Sequence, residues 1–258
     1  MARRTVDGSR AIVTGASSGI GRALALLLAE RGASVVAVAR SREKLEQLAA
    51  ESTAGGRIAI LPGDVTHLDT REAAVSMAVE RFGGLDLLVN NAGIGTVGRF
   101  ADASPERLRT IMEVNFFAAA EMIRLALPTL QSGRRPMIVN VASILGHRGI
   151  PRMSEYCASK FALRGFSQSL RAELYRLGID LLVVSPGTTA TSFFDHVDQD
   201  SVPWPKERGV TPEHVARRTV QAIERGKHEI LVNARGRLLV LASRLAPGLM
   251  DRLMARYG

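Results

Sequence analysis

The sequence has 258 residues, 46% of them hydrophobic, which suits one large α/β domain or two small ones. No run approaches the ~20 apolar residues of a membrane-spanning helix, and the single cysteine, Cys157, excludes an intramolecular disulfide or a multi-cysteine metal site, so no metal is expected. The formal net charge of +9 raises nucleic acid or an anionic surface as partners, but ten Lys and Arg against four Asp and Glu fall in residues 208–258, and the remaining cations are scattered without aromatic interleaving, so no nucleic-acid partner is expected.

Residues 1–10 are basic but lack the apolar core of a secretory signal, which makes a cytoplasmic protein the expectation. Residues 10–13 then read as a first strand and residues 21–31 (GRALALLLAER) as a helix closed by Gly32. Residues 34–39 (SVVAVA) give a second strand, and 43–50 a charged helix. A third strand spans 57–61 and a third helix 67–82. Residues 85–89 (LDLLV) form a fourth strand. Ser104-Pro105-Glu106 opens the next helix, with Ser as N-cap and Pro in the first turn, and residues 115–130 continue helically. Residues 137–141 make strand five, 154–177 a long helix, 179–185 strand six, 211–225 a helix and 229–232 a last short strand. Apolar strands separated by helices predict an α/β fold. Specifically, they predict a Rossmann-type, doubly wound parallel sheet of about seven strands with helices on both faces and ligands at the carboxyl ends of the strands. No repeat or composition break marks a second domain, so residues 1–258 are read as one.

Two segments stand outside this rhythm. Residues 188–210 hold Phe193, Phe194 and Trp204 in a long patternless stretch after strand six, and read as a substrate lid, with a plain surface loop as the alternative. Residues 236–257 alternate leucines with arginines around Pro247-Gly248 and read as an amphipathic helical extension. Its apolar side suits another subunit, the body of the fold, or weak contact with an anionic membrane surface.

The chemistry begins after strand one, where Thr14-Gly15-Ala16-Ser17-Ser18-Gly19-Ile20-Gly21 leads into a helix. Gly15 permits a tight turn, Gly19 lets backbone approach a pyrophosphate, and Gly21 lets helix and strand pack closely. The helix N-terminus offers free N–H groups and positive dipole to phosphates. Strand two ends Ala39-Arg40-Ser41, where an NAD-binding site normally carries an acid for the ribose hydroxyls. Arg40, assisted by Ser41 and Ser17, suits instead the extra phosphate of NADP(H); a solvated arginine is the alternative.

Tyr156 and Lys160 are spaced i, i+4, which sets their Cβ atoms about 6 Å apart on one helix face. Bringing a phenol from near 10 towards neutrality takes about 4 kcal/mol, which an adjacent ammonium and a cationic cofactor ring would supply together. Ser143 ends strand five, thirteen residues before Tyr156, and so reaches the same crevice.

The glycine loop, Asn90-Asn91-Ala92-Gly93 after strand four, Ser143, Tyr156-Cys157-Ala158-Ser159-Lys160 and Pro186-Gly187-Thr188-Thr189-Ala190-Thr191 together resemble the classical short-chain dehydrogenase/reductase family, across roughly residues 8–232. The resemblance implies a hydride transfer between NADP(H) and a carbonyl or secondary alcohol. It assigns catalysis to Asn115, Ser143, Tyr156 and Lys160, with Asn115 shaping its helix and holding a water that links the lysine to solvent. It further implies that Asp64 and Val65 border the adenine, that Asn91, Ala92 and Gly93 pass the ribose, and that Pro186, Gly187, Thr189 and Thr191 flank the nicotinamide; plain turns at Asp64 and at Asn90–Gly93 are the alternatives. Homodimers and homotetramers are common in that family. The family's NADP enzymes often place a basic residue before the middle glycine; Ser18 stands there instead, so the cofactor preference rests largely on Arg40.

Ile144, Leu145, Ile150, Met153, Phe193 and Phe194 beside Ser143 and Tyr156 suggest an apolar pocket, hence reduction of a lipid-, steroid- or aromatic-like ketone. A nucleotide-binding regulator or sensor with little turnover is the competing function; it would not need Ser143, Tyr156 and Lys160 together. His147 is read as a solvated histidine, with a place lining the pocket mouth as the alternative, and Cys157 as packing that points away from Tyr156.

Overall fold

Strands built from Val, Ile, Leu and Ala are apolar on both sides and are stable only between two helical layers. The computed structural model describes residues 4–191, 193 and 209–257. In it, β1 (Arg10–Thr14), β2 (Ser34–Ala39), β3 (Ile58–Pro62), β4 (Leu87–Asn90), β5 (Met137–Val141), β6 (Asp180–Ser185) and β7 (Glu229–Leu231) form one all-parallel sheet in the order β3-β2-β1-β4-β5-β6-β7. The chain first runs outward from β1 to β3, then returns to β4 on the other side of β1. That reversal opens the crevice between the carboxyl ends of β1 and β4, where a doubly wound sheet binds ligands.

Side chains alternate across the strands. Ala11 and Val13 face one layer, formed by α1 (Gly19–Glu30), α2 (Arg42–Glu51) and α7 (Pro212–Glu224), where Leu24, Leu28, Leu45 and Val220 are buried. Ile12 faces the other, formed by α3 (Leu68–Phe82), α5 (Ala118–Gln131) and α6 (Ser154–Tyr175), with Ala78, Met122 and Leu174. Helix starts follow the capping signals. Ser41 accepts from the Lys44 amide and Thr211 from that of His214, and Ser104 accepts from the Arg107 amide ahead of α4 (Pro105–Met112).

Between α4 and α5 the expected continuous helix is interrupted by a π-helical turn, Glu113–Phe117. The wider turn carries Asn115 into the interior, where its side-chain amide bonds the backbone of the β4 loop. The C-terminal region folds as α8 (Ala234–Leu245) and α9 (Pro247–Met254). Thr189 and Val210 form a parallel bridge that ties together the two ends of the segment read as a lid; Phe194 and Trp204 lie outside the described residues. Among the described residues no helix is long and apolar enough to cross a membrane.

Candidate active site

The glycine loop is held from β4. Thr14 Oγ1 accepts from the backbone N–H groups of Asn91 and Ala92, both at 3.0 Å, while Asn91 Nδ2 donates to the carbonyls of Thr14 at 2.9 Å and Gly15 at 3.3 Å. Gly15 has φ +66°, and a Cβ on Gly21 would lie 2.3 Å from both Asn91 Nδ2 and the Gly15 carbonyl. These glycines are therefore required by the close approach of loop, helix and β4. Ser18, the N-cap of α1, makes no side-chain capping bond and the first turn carries no acid, so the helix presents its N–H groups and positive dipole to the crevice. Thr191 lies over the same loop, with its Cγ2 3.1 Å from where a Gly19 Cβ would stand.

Arg40 is exposed at the end of β2 and acts electrostatically on Asp64, at the end of β3. Asp64 is also committed to a turn, since Oδ1 accepts from Thr66 N at 2.9 Å and Thr66 Oγ1 at 2.8 Å. Burial raises its pKa, but the Thr66 hydrogen bonds and Arg40 outweigh that and hold it below the ordinary carboxylate value. Ser41, beside Arg40, caps α2 through its oxygen. The cradle fits a dinucleotide: its glycines leave room for a pyrophosphate, and a cation stands at the ribose end.

Across the crevice, Ser143 leaves β5 in extended conformation and caps the short 3-10 turn Ile144–Gly146, its Oγ accepting from Leu145 N at 3.1 Å. That turn presses on α6 so closely that a Cβ on Gly146 would lie 2.7 Å from the Lys160 carbonyl. The result is a hydrogen bond between Ser143 and the Tyr156 phenol. Lys160 Nζ is 5.8 Å from the Tyr156 ring centroid and donates to the Val141 carbonyl at 3.1 Å. Asn115 joins them: Oδ1 accepts from Ile94 N at 2.8 Å, and Nδ2 donates to Ile94 O at 3.0 Å and Ser159 Oγ at 2.9 Å, while Ser159 Oγ donates to the Tyr156 carbonyl. Gly93 closes the cluster, for a Cβ there would approach Asn115 Oδ1 at 3.1 Å and Lys160 Nζ at 3.5 Å. Ser143, Tyr156, Lys160 and Asn115, far apart in sequence, are thus brought together and buried.

Burial dominates the electrostatics. It pushes the Tyr156 phenol up to about 12, the Ser143 hydrogen bond only partly opposing it, and pulls the Lys160 ammonium down to about 8. The adjacent ammonium expected to bring the phenol towards neutrality does not do so in the protein alone, because it is spent on a backbone carbonyl and is itself desolvated.

Met153, Tyr156 and Cys157 form an apolar cluster with Leu145, Ile150, Phe193 and Val97, and the Phe193 ring meets Tyr156 edge-on at 5.8 Å. Ile144 turns away from this cluster and packs against Gly236 of α8. Phe194 lies outside the described residues. Cys157 packs, but in the same cluster as Tyr156 and not away from it, its thiol pushed up by burial.

His147 is a correction. It is not solvated: only 2% of its side chain is exposed, Nε2 lies 3.0 Å from Ser185 Oγ and 3.5 Å from Glu229 Oε1, and burial, reinforced by Arg164, holds the imidazole down at about 4. The Ile144–Gly146 turn directs it inward between β6 and β7, which the sequence next to Ser143 could not reveal. Three supporting features complete the site; the bracing of the sheet by asparagine amides after β4 is what the family resemblance implies, and the other two were not foreseen. Thr14 links β1 to β4. Asn90 Nδ2 donates to Asn140 Oδ1 at 2.9 Å, and Asn140 Nδ2 to Ser167 Oγ at 2.8 Å, tying β4, β5 and α6. Arg107 pairs with buried Glu155, next to Tyr156. An Asn repeated at the same place in β4 and β5 was a readable signal; the Arg107–Glu155 pair left none.

Comparison with known proteins adds the following. The sequence pattern described as short chain dehydrogenase matches residues 9–201. The ketoacyl reductase HetN of Nostoc sp. is 35% identical, over 98% of this chain and 91% of its own. The 3-ketodihydrosphingosine reductase of Bacteroides thetaiotaomicron is 36% identical, over 72% and 65% respectively. Among solved structures, a short chain dehydrogenase/reductase from Burkholderia phymatum in complex with NAD superimposes with a TM-score of 0.86 at 25% identity, covering 96% of both chains. A short chain dehydrogenase from Burkholderia cenocepacia in complex with NADP gives 0.83 at 29% identity, covering 97% of this chain and 99% of the other.

Proposed function

Because the chain belongs to the short-chain dehydrogenase/reductase family and is an oxidoreductase acting between CH–OH and C=O, we propose that it is an NADP(H)-dependent reductase of an apolar ketone. The observation that carries this reading is the buried phenol of Tyr156, hydrogen-bonded to Ser143 and one helical turn from Lys160, opposite the glycine loop.

Gly15, Ser17, Ser18, Gly19, Ile20 and Gly21 hold the pyrophosphate, Asp64, Val65, Asn91, Ala92 and Gly93 border the adenosine, and Pro186, Gly187, Thr189 and Thr191 flank the nicotinamide. Arg40, with Ser41, holds the phosphate that distinguishes NADP from NAD. When bound, the nicotinamide supplies the hydride. Tyr156, kept protonated by burial at neutral pH, delivers its proton to the carbonyl oxygen as general acid. Ser143 Oγ donates to the same oxygen as charge develops on it. Lys160, with a pKa of about 8, remains mostly charged at neutral pH; its ammonium stabilises the phenolate left behind and holds the ribose hydroxyls. Asn115 fixes the β4 loop against α6, and water held near its amide returns the proton. Alcohol oxidation uses the same groups in reverse.

The substrate carbon chain lies against Leu145, Ile150, Met153 and Phe193. Ile144 supports this wall from behind. Relatives named for ketoacyl and 3-ketodihydrosphingosine reduction agree with a lipid-like ketone. We further infer a cytoplasmic homodimer or homotetramer assembled through apolar surface such as the exposed rings of Phe117 and Phe161, on neighbouring elements.

The test is consumption of NADPH, with NADH in parallel, against ketoacyl thioesters, steroid and long-chain ketones, aromatic diketones and sugar ketones. Tyr156→Phe is expected to lose 10²- to 10⁴-fold in kcat while keeping nucleotide affinity. Tight NADPH binding with no turnover on any ketone would favour a sensor, and binding of neither nucleotide would overturn the reading.

A further inference from the structure

Among the described residues, the C-terminal helices leave an apolar face without a partner in the fold. On α8 the buried positions are Gly236 and Val240, while Leu238, Leu241 and Leu245 point outward, 67%, 53% and 76% exposed. At 100° per residue these three leucines fall within a stripe about 60° wide. Arg237 and Arg244 lie along one flank of the stripe and Arg235 along the other. Helix α9 continues the surface with exposed Leu249 and Leu253 beside Arg252 and Arg256. Met250 alone of its side chains is buried. Such a stripe between arginines is the pattern of a helix lying in a lipid interface, with apolar side chains among the acyl chains and guanidinium groups reaching the headgroups.

Charge separates the candidate occupants. Between residues 234 and 257 the one acid is Asp251, which pairs with Arg148 at 2.6 Å, whereas five arginines share the surface. A second copy docked face to face would bring the five arginines of this stretch against five more, with Asp251, already paired to Arg148, as the one acid the stretch contributes on either side. An anionic bilayer supplies opposite charge everywhere along the face.

The surface also adjoins the catalytic crevice. The first turn of α8 rests on Ile144, where a Cβ on Gly236 would lie 2.7 Å from Ile144 Cγ2, and Asn233, which caps α8, abuts Gly187. Arg148, a few residues after Ser143, holds α9 through Asp251. We propose that α8 and α9 dock the protein on an anionic phospholipid surface through Leu238, Leu241, Leu245, Leu249 and Leu253 and their flanking arginines. Docked in this way, the wall of the site around Ile144 faces the membrane, and a ketone partitioned among the acyl chains has a short path to the apolar cluster. This consequence rests on the proposed ketone reduction; the docking itself does not.

The experiment is co-sedimentation of the full-length protein with vesicles of phosphatidylglycerol and phosphatidylcholine in equal parts, and of phosphatidylcholine alone. Variants are Leu241→Gln/Leu245→Gln and Arg244→Gln/Arg252→Gln/Arg256→Gln. Thermal melting serves as fold control and size-exclusion chromatography reports the oligomer. Binding at least tenfold tighter to the anionic vesicles and weakened by 0.5 M salt is expected, since each arginine near such a surface contributes about fivefold. The triple arginine variant loses roughly a hundredfold and the double leucine variant at least tenfold, both at unchanged oligomeric mass. Equal binding to the two vesicle types, or leucine variants that change the oligomer and leave sedimentation intact, would overturn the proposal. Because sedimentation needs neither nucleotide nor ketone, its failure is distinct from failure of the reductase reading.

Discussion

Arg40 shows how much a single residue can decide at the edge of a well-formed cradle. The loop that the proposed pyrophosphate would meet offers backbone N–H groups, glycines and small hydroxyls, which serve NAD and NADP alike; discrimination then has to come from the group at the end of β2. A carboxylate there would repel a third phosphate, whereas an exposed guanidinium attracts it through paired hydrogen bonds. Arg40→Ala is therefore expected to weaken NADPH binding by about ten- to a hundredfold, in line with one or two charge-assisted hydrogen bonds. Affinity for NADH should stay nearly unchanged, and titration of both nucleotides by fluorescence or calorimetry checks it. Equal loss for both would mean that Arg40 acts through Asp64 and the β3 turn. At the same scale, Tyr156 and Lys160 illustrate the limit of reading a pair from its spacing. The i, i+4 spacing correctly set them on one face, but the direction in which burial moves each pKa followed only from their surroundings.

Helices and strands are the scale at which glycine counts. In α1 the first turn must pass within contact of Asn91 and of the Gly15 carbonyl, so Gly21→Ala inserts a methyl where 2.3 Å is available. Overpacking of that kind costs about 1–3 kcal/mol, and here it also tilts the helix whose N-terminus faces the phosphates. Denaturant unfolding should show the loss of stability, and nucleotide titration an affinity weaker by about five- to a hundredfold, the equivalent of the same free energy. Gly165, in the middle of α6, is the control: nothing lies within 4 Å of its Cβ position, and Gly165→Ala should stabilise by about 0.5–1 kcal/mol. The π turn before α5 belongs to this scale too. A poor helix former at Asn115 was visible in the sequence as an oddity, and the structure gives its use: a side chain that satisfies both the N–H and the C=O of Ile94.

Taken whole, the molecule is tied at the β6–β7 side by a charged knot that spans five elements. His147 follows the Ser143 turn and meets Ser185 of β6 and Glu229 of β7; Arg164 of α6 pairs with Glu229, and the charge of Arg244, exposed on α8, acts on the imidazole. The imidazole is held at about 4 in the folded protein against 6.5 when free, so between those values the unfolded chain binds the extra proton. Stability therefore rises with pH across that window and is lost as pH falls from about 6.5 towards 4. Urea unfolding at pH 7 and pH 4.5 should differ by about 2 kcal/mol from this group, and His147→Gln should remove most of the difference. An unaltered pH dependence in the variant would assign the acid sensitivity to carboxylates such as Asp86, which the Arg10 guanidinium and the Arg134 and Arg10 amides hold below the usual range against the opposing effect of burial.

The sequence by itself determined the two-faced parallel sheet, the glycine loop after its first strand and the candidate catalytic residues at its rim. Runs such as SVVAVA can be satisfied only inside a two-faced parallel sheet, and a glycine loop between strand and helix has few other uses. Ser143, Tyr156 and Lys160 were legible because each ends a strand or starts a helix at the same rim. Tertiary structure alone decided which polar side chains are buried and paired. His147 and Arg107 with Glu155 lie within ordinary-looking stretches, Thr14 at the edge of the glycine motif, and their partners are tens of residues away. It also decided that Ile144 backs the crevice while the leucines of α8 and α9 face outward. The physical reason is that local pattern fixes backbone conformation through short-range sterics and periodic burial, whereas desolvation and pairing depend on what other elements bring to the same place.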